Sequence, residues 1–226
     1  HDLYPDLTTV NEVSADLRVF LNRADGTGLY DPWLTPPFPI EFESSPNEPG
    51  DFNRDGHVDI AVVSADEDSV RVAMGNGDGT FGASQVIAVG DQPHGVAVLD
   101  MDGDGDSDLA VAVRLSNHIA ITLNNGSGVF SAATTFDSGG NGEYGLAAAD
   151  MNNDQITDLV VGVNDGEEVI VLRGNGDATF TPIGTQASGG WTWVVTVGDL
   201  NGDGNADVST ANSVSAQYSF WLGDAF

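Results

Sequence analysis

Apolar and polar positions along this chain fall into blocks that recur. A β-branched run, Ile60-Ala61-Val62-Val63-Ser64, is followed by a polar turn at Asp66–Asp68 and a second apolar strand at Ser69–Met74. A Gly-rich turn at Asn76–Gly79 then leads to a more polar strand at Phe81–Val89. The same order returns at Leu109–Val113, His118–Leu123, Asn124–Gly126 and Val129–Phe136, and again from Gly145–Ala149 through Thr179–Ala187. Short runs rich in Val, Ile and Ala, bounded by Gly, Asn and Asp, predict strands. No stretch carries a helical period, so almost no helix is expected. Strands that are apolar on both faces predict sheets stacked face to face.

Ahead of each of these runs stands one nine-residue pattern, Asp-x-Asp/Asn-x-Asp-x-x-x-Asp. Its copies begin at Asp51, Asp100, Asp150 and Asp199, at intervals of 49, 50 and 49 residues, which predicts a repeat architecture. Side-chain oxygens at the first, third and fifth places converge on one point if the backbone curls tightly, and the seventh place can add a backbone carbonyl. Hard cations such as Ca²⁺ take six to eight such oxygens at about 2.3–2.6 Å. Gly at the sixth place, present in three of the four copies, tolerates the positive φ of a sharp turn. An EF-hand closes with Glu at the twelfth place, but here that place holds Val62, Val111, Val161 and Thr210. The last carboxylate is instead Asp59, Asp108, Asp158 or Asp207, and a strand follows it at once. The alternative is that Asp, Asn and Gly merely make turns. Four copies in register favour the cation, because carboxylates crowded this closely repel one another without one.

These loops, with Gly75-Asn76-Gly77-Asp78-Gly79-Thr80-Phe81 and Gly174-Asn175-Gly176-Asp177-Ala178-Thr179-Phe180, resemble FG-GAP/VCBS repeats, the units of integrin-α-like β-propellers. The resemblance covers nearly the whole chain. It implies an all-β fold, a β-propeller with one four-stranded blade per repeat, and up to four Ca²⁺ ions. By position, the implied ligands are the side chains of Asp51, Asn53, Asp55 and Asp59; Asp100, Asp102, Asp104 and Asp108; Asp150, Asn152, Asp154 and Asp158; and Asp199, Asn201, Asp203 and Asp207. The carbonyls of His57, Asp106, Ile156 and Asn205 complete the sets. The third copy departs from the pattern with Gln155 in place of Gly. The loop at 100–108, with five carboxylates, is expected to bind most tightly and the loop at 150–158 most weakly.

The period divides residues 1–226, read as one domain, into units of about 1–44, 45–93, 94–143, 144–192 and 193–226. The first is degenerate. Asp6-Leu7-Thr8-Thr9-Val10 aligns with Asp59-Ile60-Ala61-Val62-Val63, so Asp6 holds the last place of a loop whose front is missing, and no calcium is expected there. The first unit is expected to lack its inner strand, unless His1–Pro5 supplies a short one, and the last unit its outer strand. Pro32–Pro49, rich in Pro and aromatics, reads as an edge strand plus a connection. A seven-bladed ring at this period needs about 350 residues. The chain is therefore a compact propeller of about five blades with incomplete ends, a piece of a longer propeller, or a subunit completed by a neighbouring copy through open strand edges.

Composition narrows the function. Lys+Arg number 6 against 35 Asp+Glu, a net charge of −29. Four divalent ions would leave about −21, which repels nucleic acid and anionic membranes. There is no Cys, so no disulfide or thiol chemistry. Extracellular Ca²⁺ modules bind at about 10⁻⁴–10⁻³ M, which favours an extracellular or cell-surface setting. The sequence shows no transmembrane run or secretory leader and opens on His1, so processing or trimming is expected. Asn125-Gly126-Ser127 is a formal glycosylation sequon that a hairpin turn also accounts for. His1, His57, His94 and His118 lack metal-site spacing, and no nucleophile elbow, phosphate loop or zinc motif occurs, so an enzyme is not expected.

Six residues before each first loop Asp stand Ser45, His94, Tyr144 and Trp193, with Trp191 close by. Equivalent places in successive blades ring the propeller axis. The His and aromatic side chains either stack on a sugar or grip a peptide there, or simply plug the channel. The resulting expectation is a secreted, calcium-stabilised binding or adhesion module for a glycan or protein. The alternatives are a structural subunit joined edge to edge into a filament or surface assembly, and an accessory domain of a larger secreted polysaccharide-active enzyme.

Overall fold

A computed structural model of the chain describes residues 4–32, 36–41, 43–213 and 217–223. These residues form five antiparallel sheets and no helix. The first sheet holds β1 (Leu7–Asn11), β2 (Asp16–Phe20) and β3 (Phe38–Pro39). The second holds β4 (Ser44–Gly50), β5 (Asp59–Ser64), β6 (Ser69–Gly75) and β7 (Phe81–Ala88). The third holds β8 (Pro93–Leu99), β9 (Asp108–Val113), β10 (His118–Thr122) and β11 (Thr134–Phe136). The fourth holds β12 (Glu143–Ala149), β13 (Asp158–Val163), β14 (Glu168–Gly174) and β15 (Phe180–Ala187). The fifth holds β16 (Thr192–Gly198), β17 (Asp207–Asn212) and β18 (Gln217–Trp221). Each sheet is a meander in chain order.

The sheets are the blades of a β-propeller. Inner strands pack in sequence, β4 on β8, β8 on β12 and β12 on β16. Second strands β5, β9 and β13 are buried along their whole length, because a neighbouring blade covers each face. This is why they read as unbroken apolar runs. One layer of core lies between each pair of blades: Leu17 and Val19 meet Ile60 and Val62; Phe52 and Val72 meet Leu109 and Val111; Ala110 and Ile119 meet Leu159 and Val161; Val160 and Val169 meet Val195 and Val208. Burying each such Val, Leu or Ile contributes roughly 1.5–3 kcal/mol. Edge-to-face ring pairs reinforce the layers at Phe38–Phe81, Phe52–Phe130 and Phe136–Phe180, with centroids 5.3, 5.4 and 5.8 Å apart.

The ends follow the expectation among the described residues. β1 occupies the second-strand place of its blade, so the first sheet lacks an inner strand, and the fifth sheet stops after three. Residues 1–3, Trp33, Phe42 and 224–226 lie outside the described residues. Pro46 and Pro49 fall in β4, at an edge of its sheet, where a missing N–H breaks no ladder. One boundary differs. The outer strand of the third blade is not Val129–Phe136 but only Thr134–Phe136, preceded by a single bridge between Asn124 and Phe130. Between them one backbone bond remains, Ser131 N–H to the Leu123 carbonyl at 2.8 Å, and side chains supply the rest: the Thr122 hydroxyl donates to the Ser131 carbonyl at 2.7 Å, and the Leu123 N–H donates to Ser131 Oγ at 3.0 Å.

Candidate metal loops and axial cavity

All four nine-residue loops curl in the same way, held by their own carboxylates. The first Asp accepts the N–H of the sixth residue: Gly56 to Asp51 at 3.0 Å, Gly105 to Asp100 at 3.0 Å, Gln155 to Asp150 at 2.8 Å and Gly204 to Asp199 at 2.9 Å. The third residue accepts the N–H of the fifth, and the fifth accepts the N–H of the seventh, in every copy. Gln155 adopts a left-handed φ of 70° where Gly56, Gly105 and Gly204 take 83°, 85° and 89°, so the third loop keeps its shape at some strain.

The ninth residue also braces the fold. Asp59, Asp108, Asp158 and Asp207 are fully buried. One oxygen of each accepts the N–H of the second loop residue, from Phe52, Met101, Met151 or Leu200, at 2.7–3.0 Å. The other accepts an N–H sixteen residues on, from Gly75, Asn124, Gly174 or Gly223, at 2.7–2.8 Å. This carboxylate ties loop, second strand and third strand together. Asp6, which has no loop before it, still accepts the Asn22 N–H at 2.8 Å, again sixteen residues on.

The loops differ in how much charge they leave unanswered. At the third place, Asn53, Asn152 and Asn201 donate their side-chain amides to Asp55, Asp154 and Asp203 at 2.8, 3.0 and 2.9 Å. Asp102 cannot do this. In that loop, carboxylate oxygens of Asp100, Asp102 and Asp108 lie within 4.8 Å of one another, a separation that a cation with ligands at about 2.3–2.6 Å spans. The donor set of oxygens alone suits a hard cation, so these residues fit calcium. Burial pushes the Asp108 carboxyl up to about 6, opposed by the Met101 and Asn124 N–H groups and reinforced by the charges of Asp102 and Asp104. Asp59 and Asp158 are raised by burial in the same way.

At the seventh place the side chains of His57, Asp106 and Ile156 turn toward the Gly-rich turns, whereas that of Asn205 hydrogen-bonds Asp203. The His57 ring lies over Gly77 and the Asp106 carboxylate over Gly126, so close that a Cβ on either glycine would meet them at 2.4 and 2.5 Å. Ile156 lies over Gly176, and Asp106 also pairs with Arg54 of the preceding blade. The Gly-rich turns thus receive the loop of their own blade. They also bond to the blade before: Gly128 N–H donates to the Phe52 carbonyl at 2.9 Å and Ala178 N–H to that of Met101 at 2.8 Å. Asn124 adds its side-chain amide to the Phe52 carbonyl at 2.8 Å and to the Ser107 carbonyl at 3.2 Å. The sequence marks these turns but not that they join blades.

The residues six before each loop lie on the axis. In β8, β12 and β16 the ladder skips one residue, His94, Tyr144 or Trp193, and in β4 it skips Ser45 and Pro46. Such bulges turn a side chain out of register. The three rings form one stack, with centroids 4.0 Å apart for His94–Tyr144 and 5.8 Å for Tyr144–Trp193, inclined by 15° and 17°. They line an axial cavity of about 620 Å³ with Ser45, Pro46, Glu12, Glu43 and Glu48 among others. Trp193, at the end of the stack, is 50% exposed. Burial, with Arg114 nearby, lowers the His94 pKa to about 4, so His94 is neutral at pH 7. Trp191 does not line the cavity and instead accepts the Ser213 N–H through its carbonyl.

Comparison with known proteins places this architecture. No curated protein sequence matches the chain. Among solved structures it resembles the BP39L lectin of Burkholderia pseudomallei at 17% identity and TM-score 0.69, over 95% of this chain and 61% of that one. It resembles a lectin of Agrocybe aegerita, described as recognising non-reducing terminal N-acetylglucosamine, at 22% identity and TM-score 0.64, over 99% and 64%. The Vibrio cholerae biofilm matrix protein Bap1 aligns at 14% identity and TM-score 0.55, over 97% and 34%. The chain spans less than two thirds of each of these proteins, and the likeness is one of fold. A sequence model of the FG-GAP-like repeat matches residues 51–111, 100–161 and 150–209, each match opening on the first Asp of a loop. With most of its length so matched, the chain belongs to the FG-GAP-like repeat family.

Proposed function

We propose that this protein is an extracellular, calcium-stabilised β-propeller that binds carbohydrate without transforming it, with residues 1–226 acting as one domain. The observation that carries the reading is the axial stack. Tyr144 is covered on both sides by His94 and Trp193, whereas Trp193 is half-exposed at the cavity. An open indole face is a platform for the apolar face of a pyranose. Glu12, Glu43 and Glu48 beside it accept hydrogen bonds from hydroxyl or amide groups. The cavity volume lies within the range of small-ligand sites. A net charge of −29 disfavours sulfated and uronic acid glycans, which leaves neutral or N-acetylated sugars. Likeness of fold to two lectins supports the class of ligand, and the matrix protein Bap1 supports the location.

Calcium would be held by the four loops, with the first, third, fifth and ninth side chains and the seventh carbonyl as ligands, the ninth carboxylate bracing the fold as well. Its contribution is to neutralise crowded carboxylates and so hold the loops against the neighbouring blades. The test is a glycan array in calcium, followed by calorimetry on the sugars that bind. Trp193→Ala is expected to weaken binding at least tenfold, about 1.4 kcal/mol, with the melting temperature unchanged. Unaltered sugar binding, or lost stability as the variant's one defect, would sink the axial site.

A further inference from the structure

The axial cavity carries charge that the described residues leave unanswered. Glu12, Glu43 and Glu48 line it, and no Lys or Arg does. The chain has no Lys, and five of its six Arg pair with carboxylates outside the cavity. Arg114 bears on His94 and Tyr144, but it faces Asp165 at 3.5 Å. Among the described residues, no hydrogen bond or ion pair engages the carboxyl group of Glu12, Glu43 or Glu48. Glu48 is half-buried in this unpaired state, and burial alone raises its pKa. The charge of Glu12 reaches Tyr144 in the ring stack.

Spacing and size indicate what counter-charge fits. A bare metal ion needs oxygens that converge on one point. Among the described residues, Asp100, Asp102 and Asp108 meet that condition, with oxygens within 4.8 Å of one another, and the three glutamates do not. A cavity of about 620 Å³ suits an organic group instead. The stacked rings of His94, Tyr144 and Trp193 line the same space, and an open indole face attracts a cation. His94, neutral at pH 7, adds no opposing charge. A neutral sugar seated here would cover Glu48 further without pairing it, which costs free energy. A sugar bearing an ammonium group would pair it through a charge-assisted hydrogen bond.

We propose that the cavity selects an amino sugar whose nitrogen is free and protonated over the same sugar N-acetylated, and that Glu48 and Glu43 make the choice. This rests on the carbohydrate reading above and names the ligand within it. The charge of the whole chain only sets anionic sugars aside, whereas the charge of the cavity favours a cation.

The test is calorimetric titration in calcium, in moderate salt to screen the net charge of −29. A pH of about 6 keeps carboxylates ionised and the amine protonated. The probes are a glucosamine oligosaccharide and its fully N-acetylated counterpart of equal length. The wild type is expected to bind the free-amine form at least about tenfold more tightly, the order that one charge-assisted hydrogen bond adds. Glu48→Gln, which keeps the side-chain shape, is expected to bring the two affinities within about threefold, with the melting temperature unchanged. Glu43→Gln, at an exposed position, is expected to narrow the gap as well and keeps the test open should the first variant fail to fold. A preference that survives in both variants comes from net charge alone and overturns the proposal. Equal or tighter binding of the N-acetylated form also overturns it and leaves the carbohydrate reading standing. A glycan array that stays blank in calcium removes both.

Discussion

In three loops the third residue is Asn, and its amide answers the carboxylate two places on; in the loop at 100–108 it is Asp102, which adds a charge instead. Asp102→Asn restores the common arrangement, and its consequence follows by linkage. Two unit charges at the 4.8 Å bound that holds among Asp100, Asp102 and Asp108 repel by about 1 kcal/mol at the dielectric of water and about 3 kcal/mol at an effective dielectric of 20. With Asp100 exposed and Asp108 buried, about 1–2 kcal/mol of relief is expected in the calcium-free protein. For a domain of this size that raises Tm by about 3–6 °C. The same repulsion is what a bound cation neutralises, so removing it beforehand lowers affinity by about the same free energy, some 5- to 30-fold. The variant is therefore expected to melt higher than wild type in EDTA and close to it in saturating calcium. The assay is thermal unfolding by circular dichroism in both conditions, with calorimetric titration of the site. A variant that melts lower than wild type in EDTA, or keeps the full calcium-induced rise, would refute the reasoning.

Three further outcomes follow from the contacts described. Asp158→Ala leaves the buried Met151 and Gly174 N–H groups unpaired, at about 1–3 kcal/mol each, and urea unfolding is expected to show the loss with calcium and with EDTA alike. Asn124→Ala removes the amide that bridges to the Phe52 carbonyl, and is expected to cost about 1–2 kcal/mol and to speed hydrogen exchange at Gly128. His94 is held near pKa 4 against 6.5 in the unfolded chain, so the unfolded state takes up a proton first as pH falls. The part of stability due to His94 is full above about 6.5 and declines toward about 4, and His94→Gln is expected to flatten the Tm–pH curve over that window.

Much of this molecule is legible in its sequence because two constraints repeat. A second strand covered on both faces must be apolar throughout, and a loop that converges carboxylates must space them by two. Those rules mark Asp59–Ser64, Asp108–Val113 and Asp158–Val163 as strands and place the four loops. Where side chains interrupt the ladder, the pattern misleads: Val129–Phe136 reads as a strand, yet the Thr122 and Ser131 side chains share its bonding before Thr134. The axial stack is only half legible. Spacing places His94, Tyr144 and Trp193 at equivalent positions, but that they stack depends on the bulge, for which the glycine after His94 and Tyr144 is the sole mark. Trp191 is near them in sequence but precedes β16 and lies outside the cavity lining.

Asp6 shows that the nine-residue pattern is two devices joined end to end. Its bond to Asn22 performs the bracing task without any loop in front of it. The final carboxylate serves the architecture with or without an ion, whereas the first, third and fifth have only the loop itself and the proposed cation to answer them. If the loops hold calcium as proposed, a unit can lose its cation by drift at the front of the pattern while its blade keeps its shape. The number of ions and the number of blades would then be free to vary separately, and calcium dependence would be a dial set one repeat at a time.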